Sequence, residues 1–266
     1  MNGAESEYRD LSMLGFETTQ IGKTQVIARP EAMVWAKTSL GQHISLHSAA
    51  LSEATFQLHG RGPVPVIQNP TGKGPSWAVR HYRNGGMIQV LGDRFFRLKK
   101  LRNIQELETS IHIQGLGIKT PRIVATSAYP SGIFYRADLI TEFAQDAKEL
   151  AEILFGNEEF SVPPADHRIR FQALRCTSEL MTKLAKYGIH HPDLNARNIL
   201  LEQHSQGMEA ILIDLDRCVV GKIKISDHEN KLRRRLYRSI QKLRHTRSGK
   251  LNYEETALIL NRPHKQ

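Results

Sequence analysis

The residues able to do chemistry in this chain are concentrated in two stretches. One is His190-His191-Pro192-Asp193-Leu194-Asn195-Ala196-Arg197-Asn198, and the other, after a short strand and loop, is Ile211-Leu212-Ile213-Asp214-Leu215-Asp216. Asp193 and Asn198 lie five positions apart in a loop behind a long helical segment, and Asp214 ends a strongly apolar strand. A carboxylate and an amide oxygen that converge on one point can hold Mg²⁺, a hard cation that takes oxygen ligands and keeps part of its coordination for phosphate. A further carboxylate nearby can orient an acceptor hydroxyl. Such a set describes phosphoryl transfer. Taken singly, Asp193 and Asn198 are ordinary turn residues; their spacing, joined to Asp214 downstream, is what points to chemistry.

Elements on either side must hold these groups. Asp166–Tyr187 has helical spacing, with Leu174, Thr177, Met181 and Leu184 on one face and Gly188 as its stop, so the His190–Asn198 loop leaves a helix C-terminus. A shorter helix is expected over Asp146–Phe155, ahead of Pro163-Pro164. Upstream the pattern is that of strands. Thr55–Leu58, Gly60-Arg61-Gly62 and Val64–Gln68 read as a hairpin, Trp77–Tyr82 as a third strand, and Arg122–Thr126 and Ile133–Thr141 flank the turn signal Tyr129-Pro130-Ser131-Gly132. Between them Arg102–Gln114 carries Ile104, Leu107 and Ile111 at helical spacing, with Gly115 placed to end the helix. Strands early and helices late predict two lobes that divide near Glu142–Gln145, an N-lobe over 54–142 and a C-lobe over 143–266. Residues 1–53 are the least legible. Their apolar pieces Val26–Ala28 and Met33–Ala36 are expected as short strands and loops of an extension joined to the N-lobe.

With these residues in place, the chain resembles the protein-kinase-like superfamily, whose catalytic loop has the form HxDxxxxN and whose metal-binding Asp follows a strand. The loop matches at His191, Asp193 and Asn198; at the DFG position, Asp214-Leu215-Asp216 has Leu for Phe and Asp for Gly. The resemblance implies an α+β fold with two lobes, an antiparallel-sheet N-lobe and a trimmed helical C-lobe. It also implies roles. Gly60 and Gly62 would be the remnant of the glycine-rich loop over the nucleotide phosphates, and Arg80 would replace the strand lysine that grips them. Glu106 would hold that cation, Asp193 would orient the acceptor hydroxyl and take its proton, and Asn198, Asp214 and Asp216 would serve Mg²⁺. Phe143, just past the lobe junction, would face adenine through its backbone.

A narrower resemblance rests on Arg80-His81-Tyr82-Arg83-Asn84-Gly85-Gly86, Tyr135-Arg136-Ala137-Asp138-Leu139-Ile140-Thr141-Glu142 and the His191–Leu200 stretch. These are similar to the 3-deoxy-D-manno-octulosonic acid (Kdo) kinases of the lipopolysaccharide kinase family. That family implies transfer of the γ-phosphoryl group of ATP to the 4-hydroxyl of a Kdo sugar on a lipid A precursor, at the cytoplasmic face of the bacterial inner membrane. The 50 or so residues after Asp216 are too few for the peptide-docking lobe of a protein kinase, which agrees with a glycan acceptor. Two alternatives stand beside it: another kinase-like phosphotransferase acting on a core heptose or a small molecule, and a pseudokinase scaffold that binds acidic glycolipid without catalysis.

Composition sets the outer bounds. The 266 residues carry 37 Lys plus Arg against 27 Asp plus Glu, a net charge of +10, with 40% apolar residues, enough for a sizeable core. No apolar run approaches the length of a membrane span, and the acidic start lacks a signal-peptide pattern. Cys176 and Cys218 are too few and too far apart for a disulfide framework, and His190 and His191 lack partners at zinc-ligand spacing. Positive charge is densest in Lys231–Lys250, including Arg233, Arg234, Arg235, Arg238 and Lys242. Such a run favours polyanions, here the phosphates and carboxylate of a Kdo-lipid A acceptor and an anionic membrane surface. It is short of the interleaved aromatics of a nucleic-acid stacking surface, so no nucleic-acid partner is expected.

Overall fold

The strands among the first 145 residues pair into a single antiparallel sheet. The computed structural model describes residues 11–59, 62–84, 92–97, 100–157, 160–221, 227–244 and 251–262. The chain divides into two units, one made of the residues up to Leu107 with Arg122–Gln145, the other of Glu108–Pro121 with the residues from Asp146 onward. In the first unit the elements are β1 (Glu17–Ile21), β2 (Thr24–Ala28), α1 (Pro30–Gln42), α2 (Leu46–Glu53), β3 (Phe56–His59), β4 (Pro63–Ile67), β5 (Trp77–His81) and a short β6 (Phe95–Phe96). Helix α3 (Arg102–Gly115) follows and is shared between the two units, and β7 (Ile123–Ser131) and β8 (Phe134–Glu142) complete the first. The sheet order is β1-β2-β7-β8-β5-β4-β3, with β6 paired to β8.

The N-terminal segment, read from sequence as an extension, is part of this sheet and its cover. Val26–Ala28 is indeed strand, in β2 beside β7, but Met33–Ala36 is helix rather than strand and loop. Pro30 occupies the first turn of α1, where its missing N–H has no partner to lose, and Ala32, Met33 and Ala36 form a buried stripe at helical spacing. That stripe meets Trp77, Val79, Val124 and Ile140 of the sheet, and Trp35 contacts Trp77 edge to face at 5.7 Å. The β7–β8 turn is shorter than expected. Tyr129, Pro130 and Ser131 remain strand, and the reversal is made by Gly132 and Ile133, with Gly132 at φ +61°. Tyr129 stays in the strand because its buried hydroxyl is anchored to Asp138 at 2.6 Å.

The second unit contains β9 (Ala147–Glu149), α4 (Leu150–Phe155), α5 (His167–Lys186), β10 (Ile199–His204), β11 (Gly207–Leu212), α6 (His228–Arg244) and α7 (Tyr253–Leu260). The helix expected from Asp146 starts only at Leu150, because residues 147–149 pair with the edge of β10. Helix α5 matches its sequence signature. Asp166 caps it, accepting the Ile169 N–H at 2.9 Å, Leu174, Thr177, Met181 and Leu184 are buried, and Gly188 exits at φ +61°. Leu174, Met181 and Leu184 join Leu150, Leu154, Leu212, Leu232, Leu236 and Ile240 in one core. The two cysteines pack beside it, unbridged. Helix α6 carries the basic run, and the described chain continues into α7, capped by Asn252 and Glu255. Among the described residues no helix is long and apolar enough to cross a membrane.

The basic run is not one surface. Lys231, Arg234, Arg238 and Lys242 form an exposed stripe along α6, whereas Arg233 is only 2% exposed and binds within the protein. Its count as a partner-facing cation is therefore corrected: α6 buries the face on which it lies.

Candidate active site

The loop after α5 is built on its own side chains. Asn195 Oδ1 accepts the N–H groups of Arg197 (2.8 Å) and Asn198 (3.2 Å), and Asn195 Nδ2 donates to the Asp193 carbonyl at 2.8 Å. Asn198 Nδ2 donates to the same carbonyl at 2.8 Å, which turns its Oδ1 to the opposite side of the amide. His191, fully buried, donates from Nε2 to the Ile213 carbonyl at 3.0 Å and accepts the Asp193 N–H on Nδ1 at 3.2 Å. Burial holds its pKa below the ordinary value, so the ring stays neutral and this tautomer joins the loop to the end of β11. The Ile213 N–H closes the junction, donating to the Asn198 carbonyl at 3.1 Å. Asp193 is exposed beside it.

Asp214 follows at φ +58° and Arg217 at φ +62°, left-handed conformations rare outside glycine, which an Asp adopts more readily than most residues. The tight path sends Leu215 into the core and leaves Asp216 half-buried, its Oδ2 3.8 Å from Arg217 Nε. Within this unit, then, the carriers of Asn198, Asp214 and Asp216 meet. Their donors, an amide oxygen and two carboxylates, suit a hard cation such as Mg²⁺. By contrast, the surface group Glu202, His204 and Glu209 already holds Lys119 Nζ, at 2.7 and 3.0 Å from the two glutamates.

In the first unit, Arg80 and Tyr82 lie two positions apart and so face one side of their strand, towards α3. Arg80 NH2 lies 2.5 and 2.6 Å from the two oxygens of Glu106, and the Tyr82 hydroxyl donates to Glu106 Oε2 at 2.5 Å. The Arg80 guanidinium also sits 5.0 Å from the centre of the Tyr82 ring. Glu106 is 5% exposed, while Arg80 keeps 30% of its side chain in solvent. The carboxylate is thus the buried anchor and the guanidinium the presented group. Gly62 lies against Arg83, whose Nε would sit 2.8 Å from an added Cβ; Gly60 falls outside the described residues. Phe143 offers less than expected from its backbone, because its N–H continues the sheet pairing to the Ser76 carbonyl at 2.8 Å. Its ring packs on Phe56 at 5.4 Å.

With this geometry in place, similarity decides the class. The sequence profile of the lipopolysaccharide kinase (Kdo/WaaP) family matches residues 64–255. The chain belongs to that family. Lipopolysaccharide kinases are phosphotransferases, and so is this protein. It is similar to 3-deoxy-D-manno-octulosonic acid kinases of Vibrio cholerae serotype O1 (28% identity over 213 residues, 76% of this chain and 84% of that one) and Haemophilus influenzae strain PittEE (32% over 164 residues, 60% and 64%). The solved structure of WaaP in complex with acyl carrier protein aligns over 89% of this chain and 88% of that one, with a TM-score of 0.54 at 16% identity, which shows a shared fold.

Two supports of this lipopolysaccharide kinase carried no distinguishing signal in the sequence. Asn195 is one. The other is Asp138, 0% exposed, which accepts the His47 N–H (2.8 Å) and the Tyr129 hydroxyl (2.6 Å) on one oxygen and faces His81 Nδ1 (2.5 Å) with the other. His81 stands directly opposite Asp138 in the β5–β8 register and reaches Asp93 through Nε2 at 3.2 Å. The network ties the first turn of α2 to the strand that carries Arg80. Burial lowers the His81 pKa, but hydrogen bonds and charge from Asp138 and Asp93 outweigh it, and the net value is raised above the ordinary 6.5. A raised folded-state pKa means that the pair contributes fully below the unfolded value and fades as pH climbs through the folded one. The expected result is that the wild-type Tm falls more steeply than that of His81→Gln as pH rises above the ordinary 6.5. Parallel profiles would show that folding leaves the His81 pKa unshifted.

Proposed function

We propose that this kinase transfers the γ-phosphoryl group of ATP to the 4-hydroxyl of a Kdo sugar on a lipid A precursor. The oxygen–phosphorus bond to the sugar forms as the bond to ADP breaks, and the hydroxyl proton passes to Asp193. The observation that carries this reading is the second unit's loop. A neutral His191 and the amides of Asn195 and Asn198 fix the backbone of Asp193, and bonds of His191 and Asn198 with Ile213 tie that loop to the end of β11, which leads into Asp214. When bound there, Mg²⁺ neutralises phosphate charge. Asn198, Asp214 and Asp216 are the residues that would hold it.

Arg80 is assigned to nucleotide phosphate. Its ion pair with Glu106 and the ring of Tyr82 keep the guanidinium in one orientation, and arginine's planar fork makes that orientation matter more than it would for lysine. Gly62 and Gly60 are assigned to the same phosphates, and Phe143 to the adenine. The choice of a Kdo acceptor follows the names of the Vibrio and Haemophilus relatives. The exposed stripe Lys231, Arg234, Arg238 and Lys242 is assigned to anionic lipid, which would keep the protein at the cytoplasmic face of the inner membrane.

One experiment tests both parts. The wild-type protein is given ATP, Mg²⁺ and a Kdo-lipid A precursor in vesicles containing phosphatidylglycerol, and the product is mapped by phosphorus NMR. Phosphate at O4 of Kdo is expected, and sedimentation with the vesicles should fall sharply when the four stripe residues become Gln. Phosphate on another sugar would overturn the acceptor assignment, and unchanged sedimentation would overturn the lipid one.

A further inference from the structure

Helix α6 runs beside the catalytic loop and is attached to it at two points. His228 Nε2 lies 2.7 Å from the Ile189 carbonyl, with its ring 6.3 Å from that of His190. Eleven positions later, Ser239 Oγ accepts the Ala196 N–H at 3.3 Å. Residues spaced by seven and then four positions recur on one face of an α-helix, and Arg235 stands between these two contacts, seven after His228 and four before Ser239. At about 1.5 Å of rise per residue it lies roughly 10 Å along the helix from the first attachment and roughly 6 Å from the second. The loop spans Ile189 to Ala196 between the same two points. Arg235 is therefore set alongside its middle, the part that carries Asp193.

Its environment differs from that of its neighbours. Arg233 is surrounded by acceptors, and Lys231 has Asp227 at 3.5 Å. Arg235 is half-buried yet makes no hydrogen bond or ion pair among the described residues. Its charge is felt at the loop, where it disfavours protonation of both His190 and His191. A guanidinium partly withdrawn from water with no acceptor of its own is costly to leave so, and an anionic ligand compensates it.

We propose that Arg235 is a specificity-determining residue of the acceptor site, where it receives the carboxylate of the sugar whose hydroxyl Asp193 orients. This rests on the Kdo reading above, since Kdo is an acidic sugar. One end of the acceptor would be held by charge while the other is presented to the base, so that a neutral sugar is bound weakly.

The test compares wild type with Arg235→Gln and Arg235→Lys in the full chain, with far-UV circular dichroism and Tm showing that each variant is folded. Two acceptors are used, the Kdo-lipid A precursor and the same molecule with its Kdo carboxylate converted to the carboxamide. Arg235→Gln should raise the acceptor KM about tenfold or more while leaving the KM for ATP within about twofold, and Arg235→Lys should recover part of the loss. Amidation should penalise the wild type by a similar factor and Arg235→Gln hardly at all. An unchanged acceptor KM, an effect on the ATP KM instead, or an equal amidation penalty in both proteins would overturn the proposal. Calorimetric binding of the free Kdo monosaccharide separates this from the parent reading. Binding by wild type that Arg235→Gln loses supports the assignment even if no Kdo is phosphorylated, whereas equal binding or none refutes it.

Discussion

Asp193→Asn is expected to lower kcat by about a thousandfold, within the range for loss of a positioned general base, and to leave ATP affinity nearly unchanged. The structure makes this a clean substitution. The bonds that shape the loop go to the backbone of residue 193: its N–H donates to His191, and its carbonyl accepts from Asn195 and Asn198. An asparagine side chain of nearly the same size keeps all of them, so the oxygens assigned to Mg²⁺ keep their positions. What changes is the ability to accept a proton and to align the hydroxyl by charge. Single-turnover rates and nucleotide binding, measured on the same preparation, check both halves. Turnover close to wild type would reduce Asp193 to a turn residue. A wild-type protein that binds nucleotide but transfers nothing would favour the scaffold alternative.

The largest stability loss is expected from Arg233→Met, about 3–5 kcal/mol, as for breaking a buried ion pair from one side. Its Nε donates to Glu229 at 2.8 Å; the terminal nitrogens donate to the Ser178 hydroxyl and carbonyl, to the Thr182 hydroxyl and to the carbonyls of Leu258 and Ile259. Both carbonyls lie in the C-terminal turn of α7, where Leu258 also accepts the capping Asn261 N–H at 3.4 Å and Ile259 relies on the guanidinium. One guanidinium thus joins α5, α6 and α7. Methionine fills much of its volume but leaves Glu229 without its cation and the Ile259 carbonyl without its donor. Arg234→Met, one position away and exposed, removes the same charge and should change stability by no more than about 0.5 kcal/mol. Denaturant midpoints for the two variants decide the matter, and equal losses would mean that charge rather than burial sets the cost.

Much of the fold was legible where one physical signal dominated. Helix α5 declared itself by an apolar stripe with a Gly stop after it, and α3 by the Ile104 and Leu107 spacing. The hairpin strands β3 and β4 and the strand β5 followed from β-branched and aromatic residues between glycine and proline breaks. The N-terminal 53 residues resisted the same reading. The buried stripe of α1 is made largely of alanine with Met33 and Trp35, and this composition does not contrast strongly with its polar face. At β9 the local preference for helix lost to the open edge of β10, a partner that lies some 50 residues further along the chain.

By itself the sequence determined the reaction class, because phosphoryl transfer needs a particular set of oxygen donors and the order Arg80, Glu106, Asp193, Asn198, Asp214 is carried by residue type and spacing. It also determined that one stretch would be intensely basic. Only the tertiary structure decided how those cations divide: Arg233 sealed among three helices, Arg234 in solvent, Arg235 half-buried on the helix fastened to the His190–Asn198 loop. Likewise, only the fold showed that Asp138 is a buried anion shared by a helix terminus, a tyrosine and a histidine. The reason is one of range. Local spacing records which face of an element a side chain occupies, whereas its energy depends on what other segments bring to that face, and those contacts exist only once the chain has folded.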